Sequence, residues 1–124
     1  MAHTIRQPIE QNRHDSIIIK LARQLEEKHK DCKIRINQGS SNEYKVIRGE
    51  DFYYPDVFVV KDKKVKEIYE VETESTVNEN SIPQWKQYSS GKAKFFLVVP
   101  KEKLDEAKKL VVSHKISVED YFIF

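Results

Sequence analysis

Glycine is scarce: only Gly39, Gly49 and Gly91 occur in 124 residues. Their spacing builds neither a GxGxxG turn nor a Walker loop, so nucleotide binding through a glycine-rich phosphate cradle is excluded. Cys32 is the single cysteine. It forms no internal disulfide and no multi-cysteine zinc site, and a reducing, cytoplasmic setting is the expectation. Long apolar runs are also missing. The longest, residues 95–100 and 121–124, fall far short of a membrane span. The opening Met-Ala-His-Thr-Ile-Arg has no apolar core and no small-residue cleavage site, so secretion is not expected. An excess of one charge sign is absent too. Lys plus Arg number 22 and Asp plus Glu 20, a net charge of +2, so any polyanion-binding surface must be local.

What remains is one domain's worth of chain, residues 1–124, with 39% apolar, 34% charged and 10% aromatic residues. That supports one core under a heavily charged surface. Ile17, Ile18, Leu21, Ala22 and Leu25 recur at helical spacing and predict a helix from residue 8 or 12 to residue 29. Residues 32–37 alternate like a half-buried strand, residues 38–42 read as a turn, and residues 44–47 as a second strand, broken by Gly49-Glu50-Asp51. A strand at 57–60, a turn at Asp62-Lys63-Lys64 and a long strand at 65–73 follow. After a loop at 78–81 come a short helix from Ile82 to about Ser90 and a strand at 95–99. That strand is apolar on both faces and is expected at the centre of a sheet. Leu104, Ala107, Leu110 and Val111 give a last amphipathic helix over 101–113. The tail, 116–124, reads equally as strand or short helix. The order α-β-β-β-β-α-β-α-(β) predicts an α/β domain: a mixed sheet with helices on both faces.

Charge is uneven along this order. Residues 51–82 carry 4 basic and 8 acidic side chains, whereas 1–50 carry 10 and 7, and 83–124 carry 8 and 5. The acids concentrate on the predicted hairpin. With a three-residue turn at 62–64, Val60 faces Lys66, Phe58 faces Ile68 and Asp56 faces Glu70, with Cβ atoms roughly 4.5–5.5 Å apart. Glu72 projects from the same face one step on. Carboxylates this close repel unless neutralised, and a hard divalent cation does so. A register slip of one residue would dissolve the cluster. The alternative is a hairpin whose acids simply face solvent, because acids such as Glu67, Glu74 and Glu79 are abundant here.

Pro55-Asp56, then Glu70-Val71-Glu72 after thirteen intervening residues, then a crossover helix and a buried strand: this pattern resembles the PD-(D/E)XK nuclease superfamily over about residues 10–112. The resemblance implies a restriction-endonuclease-like fold and a divalent-metal-dependent nuclease acting on DNA. Asp56 and Glu70 would hold Mg²⁺ or Mn²⁺, the Val71 carbonyl would be a further ligand, and Glu72, standing where the family has Lys, would act as general base. Lys86 is a candidate for a migrated ammonium. Gln84 and Tyr88 resemble the Gln-x-x-x-Tyr helix motif of the RecB-like branch and would touch phosphate, whereas packing on the sheet is the alternative for Tyr88 and Trp85. First-helix candidates beside the site are Glu10, His14 and Asp15. Lys33, Arg35, Lys45, Arg48, Lys86, Lys92 and Lys94 are candidate phosphate contacts. His29 and Cys32 lack the second pair a zinc site needs. Two other readings stand beside this one. The first is a catalytically inactive nuclease-fold module binding nucleic acid or a protein partner. The second is a protein–protein module using Tyr53-Tyr54 and Tyr121-Phe122-Ile123-Phe124, residues that would also serve a homodimer contact.

Overall fold

The computed structural model describes residues 8–37, 46–48 and 51–124. Helix α1 runs over Pro8–Lys28 and buries His14, Ile18, Leu21, Ala22 and Leu25. Their spacing of three and four keeps them on one face. Of the two predicted starts the helix takes Pro8, a first-turn position where the missing N–H costs nothing. The chain then forms β1 (Lys33–Ile36), β2 (Val46–Arg48), β3 (Asp51–Tyr53), β4 (Val57–Lys61) and β5 (Lys64–Val71). Next come α2 (Ile82–Ser89), β6 (Lys94–Val99), α3 (Leu104–Ser113) and β7 (Asp120–Ile123). The predicted turn at 38–42 and the candidate phosphate contact Lys45 lie outside the described residues. Asp51, expected in a break, instead opens β3, which pairs with β2 as a separate two-stranded ribbon.

The main sheet has the order β1-β4-β5-β6-β7. β1, β4 and β5 are antiparallel neighbours, and β5, β6 and β7 are parallel. This is the expected α/β class with a mixed open sheet. The ambiguous tail is a strand, added parallel to β6. Two cores form on opposite faces. Ile18, Leu21 and Leu25 of α1 pack with Val57, Val59, Tyr69, Val71, Phe96 and Val98. There Tyr69 stacks on Phe96 at 4.5 Å and Phe122 meets both rings edge-on. On the other face Trp85 and Tyr88 of α2 and Ala107 and Val111 of α3 pack over Phe58, Ile68, Phe95 and Leu97. β6 is buried on both sides, as its unbroken apolar run required. Tyr121 and Phe122, read as adhesive surface, are half-buried in their own sheet, whereas Ile123 stays 51% exposed.

The β4–β5 hairpin departs from the expected geometry. Its turn has two residues, Asp62 and Lys63, and Lys61 pairs with Lys64. Both turn residues adopt positive φ, 53° and 64°, the conformation that matches the twist of a tight hairpin. Val60 therefore opposes Val65 and not Lys66. A bulge then intervenes between Val59 and Val60, so that Val59 opposes Glu67 and Phe58 opposes Ile68. Lys66 has no opposite number. The shorter turn and the extra residue cancel, and the strand ends meet in the register the longer turn would have given. Positive φ strains a residue with a side chain by about 1–2 kcal/mol. Lys63→Gly should therefore stabilise the protein by about 0.5–1 kcal/mol once the greater freedom of unfolded glycine is offset, seen as a higher urea midpoint with an unchanged slope.

Candidate functional site

The Pro55-Asp56 corner enters β4 between two anchors. Asn37, just past β1, donates its backbone N–H to the Asp56 carbonyl at 2.9 Å and its side-chain amide to the Pro55 carbonyl at 2.7 Å. Asn37 is buried and was not singled out from the sequence. Its only signal there is a polar residue closing an alternating strand. The corner is thereby aimed at the end of β5. Asp56 donates its N–H to Glu70 Oε1 at 3.2 Å, and Asp56 Oδ2 accepts the Val71 N–H at 2.7 Å. The side chains of Asp56 and Glu70 interact at this point. Val71 contributes its amide to this junction.

The first helix supplies a third group. His14 lies on the buried face of α1, one turn before Ile18, and its Nε2 is 3.2 Å from Asp56 Oδ2. Its Nδ1 is 3.1 Å from Asp15 Oδ1, which also accepts a 2.8 Å hydrogen bond from Gln11. The imidazole thus lies between two carboxylates. Glu10 points elsewhere: its Oε2 accepts the hydroxyls of Thr73 at 2.8 Å and Ser75 at 2.5 Å. Arg13 pairs with Glu74. Together these two contacts clamp the first turns of α1 onto the segment that follows β5.

Glu72 is only 1% exposed and both its oxygens are taken up. Oε1 accepts the Thr76 hydroxyl at 2.8 Å and Oε2 the Trp85 indole N–H at 2.7 Å. The loop around it is tied by Thr73 N–H to Thr76 Oγ1 at 2.9 Å and by the Ser81 hydroxyl to the Thr76 carbonyl at 2.6 Å. Glu72 therefore joins β5 to the start of the crossover helix. Elsewhere on α2, Tyr88 is fully buried beside Phe95, ring centroids 5.9 Å apart, so it packs the core instead of reaching a phosphate. Gln84 is half-buried and Lys86 exposed. His29 and Cys32 do not act together: His29 Nε2 faces Glu67 at 3.2 Å and the Cys32 thiol faces Asp31.

Burial first, then the charges of Asp56 and Glu72, push the Glu70 carboxyl well above its ordinary value of 4.5. Its ionised form is the unfavourable one here. Besides the backbone bonds at this junction, the Asp56 and Glu70 carboxyls are hydrogen-bonded to each other. Among the described residues no three His, Cys, Asp or Glu side chains gather as a ligand set. A pair of carboxylates nonetheless fits Mg²⁺ or Mn²⁺, which take one or two carboxylates and complete their shell with water and phosphate oxygens. The raised Glu70 carboxyl is the kind of group such a cation would return to its ionised form.

No family model, curated protein or solved structure matches the chain. No helix among the described residues is long and apolar enough to cross a membrane.

Two outcomes follow from the carboxylates. A group whose folded pKa is raised contributes stability below its unfolded pKa and loses it as pH rises through the folded value. With chelator present, Glu70→Gln should raise the urea midpoint in mildly alkaline buffer, and the gap to wild type should close below pH 4.5. Trp85→Phe keeps the ring in the core but leaves one Glu72 oxygen without its donor. It should cost about 1–3 kcal/mol in the same unfolding assay.

Proposed function

We propose that the chain is a divalent-metal-dependent nuclease of restriction-endonuclease-like fold that hydrolyses DNA phosphodiester bonds in the cytoplasm. The observation that carries this reading is the meeting of Asp56 and Glu70 at the ends of two neighbouring strands, with the Glu70 carboxyl pushed up by its burial and then by the charges of Asp56 and Glu72. The mixed sheet, with α1 on one face and the β5-α2-β6 crossover on the other, supports the fold assignment. So does the resemblance carried by Pro55-Asp56 and Glu70-Val71-Glu72.

Asp56 and Glu70 would hold Mg²⁺ or Mn²⁺, which when bound polarises a phosphodiester and activates water. The chain's own groups do the positioning. The Val71 N–H and His14 fix the Asp56 carboxylate, and Asn37 fixes the backbone that carries it. The expected role of Glu72 as general base does not suit a buried carboxylate with both oxygens engaged. We assign it instead to holding Trp85, and through Trp85 the start of α2, against the site. Lys86 is exposed on α2 and suits phosphate binding better than a migrated catalytic ammonium.

A second reading has an observation of its own. The position where the family carries Lys holds a sequestered Glu72, which favours a catalytically inactive nuclease-fold module that still binds nucleic acid. One experiment separates the two. Purified protein with Mg²⁺ or Mn²⁺ should cleave at least one of single-stranded, duplex and branched DNA. Asp56→Asn and Glu70→Gln should abolish cleavage and leave metal-free binding intact. Intact DNA in every case, with binding retained, selects the inactive module.

A further inference from the structure

The far end of β5 from the carboxylates is basic. Lys64, Lys66 and Lys92, with Val65, line an open hollow of about 440 Å³. Lys64 follows the turn, Lys66 is the extra residue of the bulge, and Lys92 precedes β6. A bulge re-aims the side chain it inserts, and here that side chain joins the other two. Among the described residues none of the three lysines makes an ion pair. The acids nearby are largely committed. Glu67 accepts the Tyr69 hydroxyl at 2.7 Å and faces His29, and Asp31 pairs with Lys61 at 2.7 Å. Asp62, in the turn, faces the neighbouring hollow lined by Lys33, Arg35 and Lys61. Three ammonium groups share one hollow that no carboxylate lines, and that arrangement is stabilised by a polyanion.

We infer that this hollow is a second contact surface for nucleic acid, binding backbone phosphates independently of the metal site. The substrate class rests on the nuclease-fold reading above; the placement does not. Lysine presents a compact, rotatable point charge that can follow successive phosphate oxygens without demanding a fixed fork geometry. Val65 is the one apolar residue of the hollow and 36% exposed, too little apolar surface to enter a bilayer. From Lys64 to Glu70 is six residue steps of one strand, about 20 Å. That is roughly six phosphates along one strand of a duplex, at 3.4 Å of helix axis each. A nucleic acid held at the carboxylates touches this surface only if it extends at least that far beyond them.

The test reads metal-free binding of a fluorescent duplex by anisotropy across a salt series, with no cleavage involved. The triple variant Lys64→Gln, Lys66→Gln, Lys92→Gln should bind about 10-fold or more weakly. Its log–log salt slope should be shallower by about 3, since each phosphate no longer neutralised lowers the slope by about 0.9. A control triple, Lys101→Gln, Lys109→Gln, Lys115→Gln, removes equal charge from exposed positions elsewhere and should leave the slope unchanged. Wild-type protein that does not bind the duplex, an unchanged slope in the first triple, or an equal change in both would overturn the inference. Tighter binding to polyglutamate or to vesicles of anionic phospholipid than to DNA would overturn it as well. Absence of cleavage bears on the nuclease alone, because this assay contains no metal.

Discussion

A single residue of register between β4 and β5 decides whether two carboxylates meet. Side chains alternate along a strand, so one slip would bring Val71, not Glu70, opposite Asp56. The chain holds the productive register with two offsetting irregularities: a two-residue turn at positive φ and a bulge that leaves Lys66 unpaired. Above the bulge, Phe58 opposite Ile68 and Val57 opposite Tyr69 lock the alignment, because each of these four side chains is buried in one of the two cores. Packing thus enforces what the turn alone would have misaligned.

The same junction gathers its neighbours from across the fold. Asn37 reaches it from β1, His14 from α1, and Val71 through its own backbone. Glu72 stands one residue beyond β5 and belongs to a different task. Its two hydrogen bonds tie the sheet to Trp85 and Thr76, so the charged residue next to the site is spent on fixing the crossover helix. The three acids therefore have three environments: Asp56 anchored at the sheet's end, Glu70 buried with its ionisation suppressed, and Glu72 enclosed by donors. The charges of the first and third raise the second.

The distribution of cations complements this. The acidic junction lies at one end of β5, and Lys64, Lys66 and Lys92 at the other. The formal net charge of +2 conceals this separation, which arises from how the hairpin and the parallel crossover bring residues 64–66 and 92 to one place. A nearly neutral chain can in this way present a field of one sign locally.

Periodicity and composition were sufficient for much of the architecture. The helical spacing of Ile18, Leu21 and Leu25, the two-sided apolar run 95–99 and the amphipathic repeat around Ala107 each specify an element directly, because side-chain period follows backbone geometry. They also placed β6 at the sheet's interior. The convergence of Asp56 and Glu70 was legible only through an assumed turn, and that turn was wrong in length. Asp-Lys is not a recognisable tight-turn pair, and no local signal marks a bulge at Lys66. The fate of Glu72 was illegible because the indole N–H that claims it comes thirteen residues later and from another layer. Asn37 was equally silent, since its partners are backbone carbonyls eighteen and nineteen residues on. The strand identity of 120–123 was undecided until β6 offered an edge. Sequence by itself determined which segments are helices and strands and which faces are apolar, since those are local consequences of spacing. Tertiary structure alone decided register, the partners of each carboxylate and the clustering of lysines, since each depends on contacts between segments far apart along the chain.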